Sequence, residues 1–133
     1  MKINLFLLPV ILLFYQMAPL RLTDQTYTYE LSIRSEGEKT ELFDLLIEGQ
    51  LINETGEMVP FRLEEKNLKT PYNLTLGTGQ YVIRVHRQSE QGVVISKVQG
   101  VLEGRRKGSA QGSSRKQLLT AGPGGNYSGG EDK

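Results

Sequence analysis

The chain offers one histidine and no cysteine for chemistry. His86 follows Ile83 and Val85 at alternate positions, so its ring is predicted to lie on the wet face of a strand. A catalytic histidine needs an orienting carboxylate and a nucleophile nearby, and a zinc site needs further ligands at suitable spacing. The sequence around His86 shows neither a catalytic pattern nor a zinc-binding pattern. We therefore expect no catalytic residue, metal or cofactor, and keep as an alternative a small enzyme that uses His86 with a carboxylate.

Carboxylates are numerous, but the close pairs fall in polar turns and linkers. These pairs are Glu36/Glu38, Glu54/Glu57 and Glu64/Glu65. A glycosidase pair needs an enclosed site, which a chain of this size has little material to build. The Asp-rich spacing of known calcium loops is absent. The sequence thus predicts solvated charges at these positions.

Five cations near the C-terminus are the best candidates for contact with a partner. They are Arg105, Arg106, Lys107, Arg115 and Lys116. Such a group attracts phosphate-rich surfaces or an acidic protein face. The runs are short and lack interleaved aromatic residues, which disfavours nucleic acid. The alternative is that the five charges only keep the chain soluble or rest on its own acidic part.

Charge and composition both change at Gly104. Residues 23–103 hold thirteen Asp and Glu against eight Lys and Arg, whereas residues 104–133 hold two against six. The second segment also has eight glycines and four serines, and its few apolar residues cannot offset the entropy lost on ordering. We predict a mobile basic tail over 104–133, with a last strand around 117–120 as the alternative.

The N-terminal segment has the layout of an export signal. Lys2 precedes an apolar run from Ile3 to Tyr15, so residues 1–21 are predicted to be a signal peptide. An uncleaved membrane anchor is the alternative, because Ile3 to Leu20 is nearly long enough to cross a bilayer. Export without any disulfide favours a periplasmic, cell-surface or secreted protein of a bacterium.

Residues 22–103 are predicted to form a single all-β sandwich, either Ig-like or prealbumin-like. Alternation is clear from Tyr27 to Ile33, and six or seven short strands are separated by turn signals. Residues 42–52 fit a helix or a buried strand, and the turn signal at 53–56 favours the strand. Pro60 lacks an amide hydrogen and predicts an edge strand, and Gly100 predicts a bulge or bend.

Residues 69–87 carry the strongest local pattern, which predicts a β-hairpin. Two alternating runs flank a turn at Gly77–Gly79. The inward positions are Tyr72, Leu74 and Leu76, then Tyr81, Ile83 and Val85. Because the tyrosines share a face with aliphatic residues, we assign them to the core and not to a sugar-binding platform.

The span 47–85, IEGQLINETGEMVPFRLEEKNLKTPYNLTLGTGQYVIRV, resembles the prealbumin-like modules of bacterial envelope proteins, including the PEGA-type and carboxypeptidase-regulatory-like families. The matching elements are a Gly-x-Leu-x-Asn-x-x-Gly opening at 49–56, Thr70-Pro71, and the alternating residues on either side of Gly79. The resemblance implies a small β-sandwich used for attachment or binding, and it brings no catalytic residue.

These observations predict a non-enzymatic, exported or envelope-associated binding module. Its sheet edges or basic tail would contact an envelope or extracellular protein, or an anionic surface. The alternative is a structural accessory subunit of a larger envelope assembly.

Overall fold

The computed structural model describes residues 27–122 and 127–132, which form nine strands. The predicted signal segment 1–21 and residues 22–26 lie outside the described residues. No helix in the described ranges is long and apolar enough to span a membrane. The strands are β1 (Tyr27–Ser35), β2 (Leu42–Ile52), β3 (Met58–Lys69), β4 (Tyr72–Leu76), β5 (Gly79–Arg87), β6 (Val94–Leu102), β7 (Arg105–Gly112), β8 (Lys116–Ala121) and β9 (Ser128–Glu131).

The strands form two antiparallel sheets, which confirms the all-β sandwich. One sheet has four strands in the order β4-β1-β6-β7, and the other has five in the order β3-β2-β5-β8-β9. The core lies between them, because each central strand points alternate side chains inward. Fully buried large residues of this core include Tyr29, Leu31, Ile33, Phe43, Leu45, Ile47, Ile83 and Leu119.

Two predictions about individual strands are confirmed. Residues 42–52 form a strand, β2, which pairs with β3 on one side and β5 on the other. Pro60 lies in β3, which is the edge strand of the five-stranded sheet. Its missing donor is harmless at an edge.

The predicted hairpin over 69–87 is wrong. β4 pairs with β1 in the four-stranded sheet, whereas β5 pairs with β2 and β8 in the other. The chain crosses between the sheets at Thr78, whose hydroxyl donates to the Tyr27 carbonyl and whose carbonyl accepts from the Ile52 amide. The two inward faces therefore oppose each other across the core. Alternation predicts which residues are buried, but it does not identify the strand they pair with.

The prediction of a mobile tail from Gly104 is also corrected. Glu103 and Gly104 have φ values of 52° and 78° and link β6 to β7 in a two-residue turn of the kind that hairpins favour. β8 then pairs with β5, and β9 pairs with β8. β8 matches the alternative strand around 117–120. β7, β8 and β9 pack at the edges of a core formed mainly by β1–β6. A few inward side chains are therefore enough to order them.

Gln117 of β8 is a buried polar link between the two sheets. Its side-chain amide donates to the carbonyls of Val94 and Ser114, both at 2.8 Å, and its oxygen accepts from the hydroxyl of Ser96. Gln117 and Ser96 are both fully buried. A segment with few apolar residues thus contributes a polar side chain to the core, and the hydrogen bonds of that side chain are satisfied.

Candidate functional site

His86 lies on the outer face of the five-stranded sheet, where it contacts a carboxylate that the sequence pattern did not indicate. Its Nε2 is 2.8 Å from Oδ2 of Asp132, and Nε of Arg84 is 3.5 Å from the same oxygen. The Asp132 amide donates to the carbonyl of Lys116, which fixes the end of β9 beside β8. The partner was hidden because 46 residues separate it from His86. A hairpin over 69–87 would have placed Asn73 and Thr75 on the same face as His86, but β4 belongs to the other sheet.

The Arg84 contact continues into a row of ion pairs across the sheet. Arg84 is 3.3 Å from Glu48, Glu48 is 3.3 Å from Arg62, and Arg62 is 3.2 Å from Glu64. Charges alternate in sign along the row, so each group faces an opposite one. Between 34% and 58% of each of these side chains is exposed, and ion pairs near the surface stabilise a fold by about 0–1 kcal/mol each. The positive and negative charges of the row therefore nearly cancel, and this sheet face is close to neutral.

A shallow groove of about 180 Å³ lies beside His86. Its polar lining includes Asp44, Glu64, Glu65 and Lys66. Asp44 is occupied by the fold, since it accepts from the amide of Asn67 and from the side chain of Gln88.

The arrangement around His86 does not form a relay to a nucleophile. Within residues 27–122 and 127–132, the His86 ring hydrogen bonds only to Asp132, and no hydroxyl contacts it. A relay needs a nucleophile within hydrogen-bond reach of the ring. The same ranges contain no group of three or more metal-ligating side chains placed to hold an ion. His86 and Asp132 thus form a contact that joins β5 to the residue after β9.

The structure divides the five predicted contact cations into two separate groups. Arg105, Arg106 and Lys107 are exposed at the start of β7, and we call them the cationic end. Arg115 and Lys116 are exposed at the turn into β8, beyond the other end of β7. Because a β-strand extends by about 3.3 Å per residue, the length of β7 places the two groups about 20 Å apart. They do not form one binding site.

The cationic end is part of the β6–β7 ladder. Arg105 pairs with Leu102 and Arg106 with Val101, and a register shift next to Gly100 leaves Lys107 without a partner residue. The bulge predicted near Gly100 is thus present, and its extra residue is Lys107 of β7, next to the Gly100–Gly108 pair. β1 begins at Tyr27, which pairs with Leu102. The cationic end therefore lies where the described chain enters the sandwich.

Tyr127 is a core contact that sequence reasoning missed. Its ring fills a slot left by Gly100 and Gly108, which face each other in the β6–β7 ladder. A Cβ atom at Gly100 would lie 1.7 Å from the Tyr127 hydroxyl oxygen, and one at Gly108 would lie 2.5 Å from the ring. The ring centre is 6.3 Å from that of Tyr29. The signal in the sequence was the glycine pair, since opposed glycines mark a close approach.

The hydroxyl of Tyr127 is buried without a hydrogen-bond partner among the described residues. Burial raises the pKa of Tyr127 to about 12. The predicted core tyrosines behave alike: Tyr27, Tyr29 and Tyr81 are buried, and Tyr72 is partly buried against the core. Burial also raises the pKa of Tyr81 to about 12 and that of Tyr29 still further.

No protein family, curated protein or solved structure matches this chain. The fold and its surfaces define an all-β sandwich with a neutralised outer sheet face and a separate cationic end.

Proposed function

We propose that this chain is a non-enzymatic binding module of the cell envelope or extracellular space. Its contact residues are Arg105, Arg106 and Lys107, and its partner carries phosphate or carboxylate groups. The observation that carries the proposal is the exposure of three adjacent cations on an edge strand. In the described part of the chain, no carboxylate lies within ion-pair distance of any of them. Their charge is therefore available to a partner.

The local backbone supports this role. The two-residue turn at Glu103–Gly104 and the bulge at Lys107 hold the three residues in one short, ordered segment, so little backbone entropy is lost when they bind. With Glu103 in the turn, three positive charges and one negative charge give a net charge of +2. Each cation near an anionic membrane contributes about 1 kcal/mol. Removing all three should weaken binding about a hundredfold.

We also propose export through residues 1–21, and a prealbumin-like variant of the sandwich. The strand order supports the latter over the Ig-like variant. In this chain β2 pairs with β3 within one sheet, whereas the Ig constant arrangement places its second and third strands in different sheets. The prealbumin-like modules that the chain resembles serve attachment or binding.

Charge neutralisation tests the proposed contact. The variant carries Arg105→Gln, Arg106→Gln and Lys107→Gln in the full chain. We expect its binding to phosphatidylglycerol-containing vesicles, measured relative to phosphatidylcholine vesicles, to fall about a hundredfold. Polyglutamate in place of vesicles tests the carboxylate source. A loss confined to one of the two probes identifies the partner's anionic group.

The matched control also removes three positive charges, at Lys97, Arg115 and Lys116, all outside the cationic end. We expect it to retain most of the binding, because the charges at the cationic end remain. Circular dichroism is the check that both variants are folded. Equal loss in the two variants, or no loss in the first, would refute the proposed contact.

A further inference from the structure

β9 contributes almost nothing to the core through its own side chains. All four of its residues, Ser128–Glu131, are exposed. It pairs with β8 alone and forms the outer edge of the five-stranded sheet. Its position therefore depends on backbone hydrogen bonds and on the residues at either end of it.

Two anchors flank β9. Tyr127 precedes it and fills the slot between Gly100 and Gly108. Asp132 follows it and contacts Arg84 and His86. The anchors are five residues apart, or about 17 Å in an extended strand. A segment that pairs with β8 in the same register can therefore place an aromatic ring in the slot and a carboxylate beside Arg84 and His86.

Two glycines between the anchors set different requirements. A Cβ atom at Gly129 would lie 2.5 Å from the carbonyl oxygen of Gln111, so this position admits only glycine. A Cβ atom at Gly130 would have nothing within 4 Å. Gly130 pairs with Leu118, which is only half-buried on the outer face. An apolar side chain in place of Gly130 would cover Leu118, since directly paired residues share a face.

We propose that the edge of β8 is a strand-addition site that the chain's own β9 occupies and that a partner protein's extended segment can take. The segment that fits has tyrosine first, glycine two residues later, an apolar residue at the next position, and an acidic residue five after the tyrosine. Such a segment gains burial against Leu118 that β9 lacks. This is binding by addition of a strand to a sheet edge, at a surface separate from the cationic end.

A disulfide that locks β9 in place tests the proposal. The chain has no cysteine, and the hydroxyls of Thr120 and Ser128 are 2.6 Å apart on opposed positions of β8 and β9. The double variant Thr120→Cys/Ser128→Cys should therefore form one disulfide. The probe is the labelled peptide Tyr-Ser-Gly-Leu-Glu-Asp, and its binding is followed by fluorescence anisotropy. We expect at least a tenfold loss of binding on oxidation and full recovery on reduction.

Peptide variants test the recognition rules. Replacing the tyrosine or the glycine of the peptide with alanine should abolish binding, and replacing the leucine with glycine should weaken it severalfold. Tyr127→Ala in the full chain empties the slot and should strengthen peptide binding. Equal binding before and after oxidation, or no binding by the reduced protein, would overturn the proposal. Dimers of the chain that excess peptide does not dissociate would also overturn it, because a second copy would then occupy the edge.

The charge-neutralised variant of the cationic end should bind the peptide normally. The two proposals therefore fail independently.

Discussion

At the scale of single residues, Gln117 shows how a segment with few apolar residues can join a core. The sequence pattern placed it in a mobile tail, because a glutamine carries no signal of burial. Its position became favourable only once Ser96 and the Val94 carbonyl were in place to bind it. Both partners lie on β6, in the opposite sheet, and their proximity depends on the complete fold.

Gln117→Leu should lower the free energy of unfolding by about 2–3 kcal/mol, because it leaves buried polar groups without partners. Urea denaturation measures the change. Gln111→Leu serves as the control, since Gln111 is exposed, and surface changes usually stay within about 0.5 kcal/mol. Adding Ser96→Ala to Gln117→Leu should cost less than the sum of the single changes. Simple additivity would contradict a direct link between the two side chains.

The buried tyrosines predict how the free energy of unfolding changes at alkaline pH. Burial raises the pKa of Tyr81 and of Tyr127 to about 12, whereas an unfolded chain ionises its tyrosines near pH 10. The unfolded state then binds fewer protons than the folded state, so stability is full below about pH 10 and falls as pH rises toward 12. Urea unfolding at successive pH values measures this decline.

Tyr127→Phe separates the tyrosine effect from general alkaline damage. The variant should be at least as stable as the parent at pH 7, because the hydroxyl it removes is buried with no hydrogen-bond partner among residues 27–122 and 127–132. Its stability should fall less steeply above pH 10. A decline identical to that of the parent would contradict the assignment of Tyr127 to the core.

At the scale of strands, alternation located most of the structure but could not assign neighbours. It identified β1, β4 and β5 correctly, because burial on one face requires a period of two. It could not show that β4 and β5 lie in different sheets, since Gly77–Gly79 suits a hairpin and a crossing equally. The Glu103–Gly104 turn was a hairpin signal that the basic, glycine-rich context masked. The partners of Tyr127 and Asp132 lie far away in the sequence, so Gly100 and Gly108 could mark a close approach without identifying the ring that fills it.

The opposed glycines of β6 and β7 give a prediction at this scale. Gly100→Ala should destabilise the protein by about 1–3 kcal/mol through overpacking, because its Cβ meets the Tyr127 hydroxyl. Thermal unfolding measures the loss. Gly130→Ala is the control, since a Cβ there meets nothing. In a Tyr127→Ala background Gly100→Ala should cost much less, and an unchanged cost would mean that Tyr127 does not fill this slot.

At the scale of the whole molecule, the basic segment belongs to the same sandwich as the acidic one. β7 and β8 cover strands that would otherwise be sheet edges, namely β6 and β5. The acidic and basic segments are therefore held in a fixed arrangement within one domain. The charge difference read from the sequence becomes a permanent feature of the surface.

Deleting residues 104–133 should unfold the protein or cause it to aggregate, because the deletion exposes Val98 and Ile83 and leaves β5 and β6 as open edges. Circular dichroism and light scattering measure both outcomes. Deleting only 128–133 is the milder comparison and should leave a folded sandwich, since β9 buries no side chain of its own. An unchanged melting temperature after the longer deletion would restore the interpretation of a mobile tail.

The placement of the two ends of the described chain has a mechanical consequence. β1 starts at Tyr27 beside the cationic end, and Asp132, which follows β9, lies beside His86 at the opposite end of the sandwich. A pulling force applied between these ends runs along the strands, across the direction of the interstrand hydrogen bonds. β1 resists in shear with a neighbour on each side, whereas β9 has four residues and one neighbour. We therefore expect β9 to detach before β1 under tension, which would expose the proposed strand-addition site on β8.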